Sequence, residues 1–287
     1  MFYQLLNLYV QKFSFPKRGL KYFLRIMRFT GIADKVYRKK LPGNIIINLR
    51  PEEHIQQQLF WYGNYEKSLG IILKNLLQPD STFFDIGANI GYFSLLAARS
   101  ISVGKIVAYE PVSYLFEALE KNVALNNFTV IQPVNAAIGD KEENRIIYLS
   151  AEDNTGMSSF QKPENYSGKH EMVKVLSLDS WFASSGLIKA DVIKIDVEGN
   201  ELAVLKGMKE IAQHFQPHIL LELNPKTLSL FNHTPADLLD YTASLSYKPY
   251  NITQEGTLVS INSHDTMETI NVALIHREKI NTISNLL

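Results

Sequence analysis

The chain has 287 residues, of which 46% are hydrophobic and 20% are charged, and its formal net charge is zero. This composition is ordinary for a globular protein with a buried core, and the length allows one large domain or one domain with an extension. The sequence contains no cysteine, which excludes disulfides, thiolate metal sites and cysteine nucleophiles and suits a reducing compartment.

The first segment is basic although the whole chain is neutral. Residues 1–50 contain eleven Lys or Arg and one acid, so the rest of the chain is acidic overall. We expect a helical extension over 1–50 and one domain over 51–287. The basic face of the extension is either solvated or docked on the acidic domain; alternatively, its aromatic residues face an anionic membrane surface. Because no apolar run approaches the ~20 residues that span a bilayer, the expected location is cytoplasmic, peripheral at the inner face of the membrane under the second alternative.

Strand-like and helix-like segments alternate from residue 81 onward. We expect strands at 81–87, 105–111, 128–139, 190–199, 218–224 and 268–277, and helices at 92–100, 113–127, 200–215 and 234–246. The polar stretch 150–171 is expected to form a loop or small hairpin over one end of the sheet. The alternation predicts an α/β fold with a doubly wound, mostly parallel sheet and helices on both faces.

Acidic residues and glycines follow several of these strands. Ligands of such sheets bind at the carboxyl ends of the strands, where this chain places Asp85, Gly87, Glu110, Asp196, Glu198 and Gly199. The turn "GANIG" has neither the GxGxxG spacing of dinucleotide sites nor the lysine of a phosphate-binding loop. An aspartate before the turn would repel a pyrophosphate and favour a cation, and Glu110 is placed to accept both hydroxyls of a ribose. A ligand with a ribose, an ammonium group and no phosphate fits S-adenosylmethionine.

These segments resemble known motifs. "FFDIGANIGYFSLLAA" resembles the first motif of class I S-adenosylmethionine-dependent methyltransferases, "VAYEP" resembles their second, and "VNAAIGD" resembles the segment that borders the adenine. "DVIKIDVEGNELAVLKGM" is similar to the hallmark of the FkbM family, as are "WYGNYEKSLG" upstream and "LLELNP" downstream. The resemblance covers roughly residues 55–275 and implies a seven-stranded, Rossmann-like sheet.

The resemblance also implies O-methylation, often of a sugar hydroxyl in a polysaccharide, glycolipid or natural product. Nucleic-acid acceptors are disfavoured by residues: there is no cysteine for C5 methylation of cytosine, and "DVEG" stands where adenine amino methylation typically needs an Asn/Asp-Pro-Pro-aromatic run. The alternatives are a non-catalytic module that binds a nucleoside or glycan, and a nucleotide-dependent dehydrogenase, which the missing GxGxxG disfavours.

The site residues follow from the strand ends and the resemblance. The predicted cofactor-binding residues are Glu66, Asp85, Gly87, Ala88, Asn89, Gly91, Tyr92, Glu110, Pro111, Ala136, Ala137 and Asp196. Asp85 would alternatively cap the following turn or helix.

The predicted catalytic residues lie in "DVIKIDVEG". Strand alternation places Lys194, Asp196 and Glu198 on one face, where a central strand should be apolar. We expect Asp196, ahead of Glu198, to take the proton of the acceptor hydroxyl. In the alternative, the two acids pair with Lys194 and hold the loop, while catalysis comes from alignment of the reactants. No His/Asp spacing demands a metal.

Overall fold

The structure is a computed structural model that describes residues 35–150, 155–162, 166–261 and 268–287. Residues 1–34 of the basic extension predicted over 1–50 therefore lie outside the described residues. No helix within the described ranges has the length and apolar character needed to cross a membrane.

The described part begins with a β-hairpin. Strands β1 (Tyr37–Leu41) and β2 (Ile45–Leu49) pair antiparallel across the short turn Pro42–Asn44. This corrects the helical prediction for that part of the extension. The run "IIINL" alternates buried and half-buried side chains, as a β-branched strand with one face on a core does. The hairpin belongs to the same apolar core as the helix Ser113–Asn126, against which its second strand lies.

Helices and strands then alternate as predicted. The helices are α1 (His54–Tyr62), α2 (Lys67–Leu76), α3 (Tyr92–Ala97), α4 (Ser113–Asn126), α5 (Leu178–Ser185), α6 (Glu201–Lys206), α7 (Lys209–His214), α8 (Pro225–Leu230) and α9 (Pro235–Ser244). The further strands are β3 (Thr82–Ile86), β4 (Lys105–Tyr109), β5 (Ile131–Val134), β6 (Ala137–Ile138), β7 (Glu143–Ser150), β8 (Tyr166–Leu176), β9 (Val192–Ile195), β10 (His218–Leu223), β11 (Tyr247–Ile252), β12 (Leu258–Ser260) and β13 (Ile270–His276).

One segment expected to be a single helix is two. The stretch 200–215 forms α6 and α7, with a break between Lys206 and Lys209. The carboxylate of Asp179 accepts hydrogen bonds from the backbone N–H groups of Glu210 and Ile211, both at 3.0 Å. These N–H groups lie in the first turn of α7 and have no intrahelical partner, so the side chain stabilises the new start.

The main sheet confirms the predicted α/β class. In the described residues it has the order β12-β11-β13-β10-β9-β3-β4-β5, in which β10, β9, β3, β4 and β5 run parallel and the other strands pair antiparallel. The sheet thus has eight strands rather than seven, because the short edge strand β12 pairs with β11. Apolar side chains pack on both faces, so the central strands are buried on both sides.

The strand order reverses between β3 and β9. From β3 the chain adds β4 and β5 on one side, and it returns to add β9 and β10 on the other. Connections that leave neighbouring strands in opposite directions open a crevice at the carboxyl ends of those strands. The residues that follow β3 and β9 are the glycine turn at 87–91 and the acidic turn at 196–199.

A second, three-stranded sheet lies beside this crevice. Strand β8 pairs antiparallel with β7 and parallel with β6, so the hairpin predicted for the insertion is confirmed, with longer strands. After β7 the chain folds back, and Ser159 forms a bridge with Tyr148. This brings the segment 156–160 over the carboxyl ends of the main sheet.

Candidate active site

A cleft with about 800 Å³ of empty space, part of it open to solvent, lies at the reversal point. Its walls come from the ends of β3, β4, β9 and β10, and segment 156–160 closes one side. The predicted site residues that line it are Gly87, Asn89, Glu110, Pro111, Ala136, Ala137, Asp196 and Glu198.

The backbone at Gly87 passes close to the neighbouring strand. Gly87 has a φ of 79°, and a Cβ atom built on it would lie 1.9 Å from the carbonyl oxygen of Asp196. Only glycine therefore fits there. The N–H groups of Gly87 and Ala88 both donate to the carbonyl of Tyr109, at 3.0 and 2.9 Å, which ties the turn to the end of β4.

Glu110 sits under the glycine turn and is almost fully buried. Its Oε2 accepts from the N–H of Asn89 at 2.8 Å, and its Oε1 accepts from the N–H of Val112 at 2.9 Å. Burial raises the pKa of Glu110 to about 7, against the lowering effect of these two hydrogen bonds. Each carboxylate oxygen accepts more than one hydrogen bond, so both oxygens keep capacity for a ligand in the cleft.

A buried ion-pair network connects the sheet interior to the cleft. Nζ of Lys194 lies 3.1 Å from Oδ2 of Asp196 and 3.7 Å from Oδ1 of Asp85, and it packs over the ring of Phe93. Burial alone would lower the pKa of Lys194, but the surrounding carboxylates outweigh it and the net effect raises the pKa. Lys194 is therefore a cation at neutral pH.

Asp85 forms the inner end of this network. It is fully buried, and the hydroxyl of Ser94 in α3 donates to its Oδ2 at 2.6 Å. Burial raises the pKa of Asp85, opposed by Lys194 and the Ser94 hydroxyl. Asp85 does not line the cleft; its geometry corresponds to the alternative in which it holds the following helix.

The acidic turn after β9 carries backbone strain. Glu198 has a φ of 53°, in the left-handed region that costs non-glycine residues of order 1–3 kcal/mol. Its carbonyl accepts from the Ser159 hydroxyl at 3.0 Å, which ties the insertion to this turn. Burial and the nearby carboxylates of Asp196 and Glu222 raise the pKa of Glu198 well above its ordinary value.

Several predicted residues support the cleft without lining it: Glu66, Asp85, Ala88, Gly91, Tyr92 and Lys194. A Cβ on Gly91 would lie 2.5 Å from a methyl carbon of Leu119, so the close approach there is to helix α4. Glu66 accepts from the side chain of Asn271 at 3.1 Å. Burial, with the charge of Asp196, raises the pKa of Glu66 to about 7.

The structure adds residues that the sequence analysis did not assign to the site. Glu222 of β10, Asn200 and Tyr65 line the cleft, as do Ser158, Ser159 and Phe160 of the insertion. Glu222 carried a signal in the sequence, because it is an acid inside the apolar run "HILLEL". For the insertion residues the signal was only the expected position of their polar stretch over one end of the sheet, since polar loops give no periodicity.

In the part of the chain that the structure describes, no group of three or more His, Asp or Glu side chains is arranged to hold a metal ion. The cleft combines the buried carboxylate of Glu110, the close backbone turn at Gly87 and the partly exposed carboxylate of Asp196.

Comparisons with known proteins find a family match and a solved structure similar to this chain. Residues 85–249 match the family described as the Methyltransferase FkbM domain. A crystal structure of Methyltransferase FkbM from Methylobacillus flagellatus aligns with a TM-score of 0.43 at 16% identity, over 70% of this chain and 47% of that chain.

Curated proteins that are similar in sequence include a synthetase and a methyltransferase. The AMB antimetabolite synthetase AmbE of Pseudomonas aeruginosa is 26% identical over 214 residues, which are 63% of this chain and 10% of AmbE. The hexuronic acid methyltransferase AglP of Haloferax volcanii is 29% identical over 144 residues, which are 47% of this chain and 53% of AglP. The chain thus spans a tenth of one relative and about half of the other.

Proposed function

The chain belongs to the FkbM methyltransferase family, whose match covers more than half of it, and we propose that it is an S-adenosylmethionine-dependent O-methyltransferase. The proposed acceptor is a hydroxyl of a sugar, glycan, glycolipid or natural product. Similarity to AglP, whose name describes a hexuronic acid methyltransferase, supports a sugar.

The residues of the cleft fit this cofactor. Glu110 is positioned to accept the two ribose hydroxyls, and its ionised form does so best. Ala136 and Ala137 give the cleft an apolar wall suited to an adenine ring. The turn at Gly87 lets backbone approach the ligand closely. When bound, S-adenosylmethionine supplies a methyl group that is already activated toward an oxygen nucleophile.

Asp196 is the proposed general base. Its side chain is 28% exposed, lines the cleft, and is fixed through Oδ2 by Lys194. Among the described residues, Oδ1 has no hydrogen-bond partner, so it is available to an acceptor hydroxyl. A hydroxyl bound there would pass its proton to Asp196 as its oxygen attacks. Glu198, on the adjacent turn, would position the acceptor.

The observation that carries the proposal is that Glu110 and Asp196 open onto one cleft, beside a turn that only glycine can form. The test is calorimetric titration with S-adenosylmethionine, followed by incubation with sugars and lipid-linked glycans and labelled cofactor, read by mass. Binding with transfer of one labelled methyl to an acceptor oxygen is expected. Binding without transfer to any acceptor would favour the non-catalytic module.

A further inference from the structure

Glu222 is out of place in its strand. The other residues of β10 between His218 and Leu223 are apolar and buried, whereas Glu222 is only half-buried and lines the cleft. A central strand that is covered on both faces should be apolar throughout. A carboxylate at this position costs free energy unless it reaches solvent or a ligand.

Strand register places Glu222 next to Asp196. In the parallel pair of β10 and β9, Leu221 stands opposite Ile195, so Glu222 and Asp196 are the next residues along the two strands. Residues at matching positions of neighbouring strands point to the same face, and the strands are about 4.8 Å apart. Two carboxylates therefore stand side by side at the edge of the cleft.

The hydrogen bonds of Glu222 leave one oxygen open. The side-chain amide of Asn224 donates to Oε1 at 3.1 Å and fixes the carboxylate. Among the described residues, Oε2 has no hydrogen-bond partner, and Glu222 forms no ion pair within 4.0 Å.

The charged lining of the cleft has one sign. Within the described ranges, Glu110, Asp196, Glu198 and Glu222 are its charged lining residues, and no Lys, Arg or His lines it. The nearest buried cation, Lys194, is already engaged by Asp85 and Asp196. An incoming acceptor carboxylate would meet like charge, and no cationic side chain among the described residues lines the cleft to compensate it.

From this arrangement we propose that Glu222 selects the acceptor. It binds a hydroxyl next to the one held by Asp196, so the enzyme takes a neutral sugar and discriminates against the matching uronic acid. This inference rests on the proposed methyl transfer and departs from the acceptor named for AglP. A neutral sugar offers O–H donors to both carboxylates, including its C6 hydroxyl, whereas the matching uronic acid has a carboxylate at C6 that donates no hydrogen bond and is repelled.

The test uses matched acceptor pairs: the methyl glycosides of glucose, galactose and mannose against those of the corresponding uronic acids. Transfer from labelled S-adenosylmethionine gives kcat and KM for each member, and calorimetry gives the cofactor affinity separately. Wild-type protein should prefer the neutral member of at least one pair by about tenfold or more, the scale of a hydrogen bond to a charged group.

Variants of Glu222 test whether this side chain causes the preference for the neutral sugar. Glu222→Gln keeps the shape but removes the charge, so it should raise KM for the neutral sugar about tenfold and reduce the neutral-to-acidic ratio by a similar factor, with cofactor affinity unchanged. Glu222→Asp should weaken acceptor binding but keep the discrimination, because the charge remains. Glu255→Gln, at an exposed carboxylate away from the cleft, should change neither quantity.

Several outcomes would overturn the inference. It fails if wild type prefers uronides, if Glu222→Gln leaves the ratio unchanged, or if the protein binds cofactor yet methylates no member of any pair. Absence of cofactor binding in the wild type would instead overturn the proposed function itself.

Discussion

Nζ of Lys194 lies 3.1 Å from Oδ2 of Asp196, and the two side chains differ sharply in exposure, at 4% and 28%. The ammonium group of Lys194 lies in the sheet interior, and the carboxylate of Asp196 lines the cleft. This pair therefore orients a catalytic candidate from below while its other oxygen stays accessible.

Asp196→Asn should lower turnover by about 100-fold or more while cofactor affinity stays near wild type, because the amide keeps the shape but cannot take a proton. Single-turnover rates with an acceptor from the sugar screen, together with calorimetry, measure the two effects separately. A normal rate in this variant would mean that catalysis rests on alignment of the reactants.

Lys194→Met should destabilise the fold by about 3–5 kcal/mol, because it leaves the carboxylate of Asp85 buried without its cation. Asp85→Asn combined with Lys194→Met should cost less than the sum of the single changes, with a coupling of about 1–3 kcal/mol. Urea unfolding of the wild type and the three variants gives the cycle. Additive free energies would show that the two residues stabilise the fold independently.

Gly87→Ala should abolish cofactor binding or lower it at least tenfold, because the new methyl would collide with the carbonyl oxygen of Asp196 and displace the turn. Gly168→Ala is the matched control. It has a similar φ of 83°, but no atom lies within 4 Å of the added carbon, so only about 1–2 kcal/mol of backbone strain is expected. Equal cofactor affinity in the two folded variants would remove the turn from the site.

Cofactor affinity should rise with pH between about 6 and 8. The pKa of Glu110 is about 7 because of burial, and its carboxylate form accepts ribose hydroxyls, so protonation weakens binding as the pH falls. Glu66 and Glu201 also have pKa values of about 7, so the profile must be compared with that of Glu110→Gln. Calorimetry across this range should show a flatter curve for the variant; superimposable curves would contradict the assignment.

If the basic N-terminal segment binds a membrane surface, deleting it should abolish that binding, and the structure shows where the deletion can end without disturbing the fold. Residues 1–34 hold six Lys or Arg, whereas the hairpin that follows buries Ile45, Ile47 and Leu49 in the core. Removing 1–34 should abolish co-sedimentation with anionic vesicles while leaving cofactor binding intact. Equal sedimentation of both proteins would favour a solvated or docked segment.

The sequence was informative where the signal was local. "FFDIGANIG" predicts a strand, a turn and a helix, and the structure has β3, the turn and α3 at those positions. Asp85 and Lys194 stand opposite each other because β3 and β9 are neighbouring strands. The two residues are more than a hundred positions apart in the sequence, so no local pattern predicts this register. The proximity of Glu222 to Asp196 was likewise not predictable from a local pattern, since it follows from the pairing of β10 with β9. The hairpin at 37–49 was not predicted, because the first segment was delimited by its positive charge and not by the periodicity of its apolar residues.

The position of β13 determines when the sheet is completed during synthesis. This strand, at residues 270–276, lies between β10 and β11, so β11 and β12 join the sheet only through it. Until those residues leave the ribosome, one edge of β10 has unpaired backbone N–H and C=O groups. This strand carries Ile219, Leu220 and Leu221, which are buried in the complete fold. A stalled or truncated chain that lacks β13 would leave this edge of β10 unpaired. We therefore expect chaperones to bind this stretch on the nascent protein.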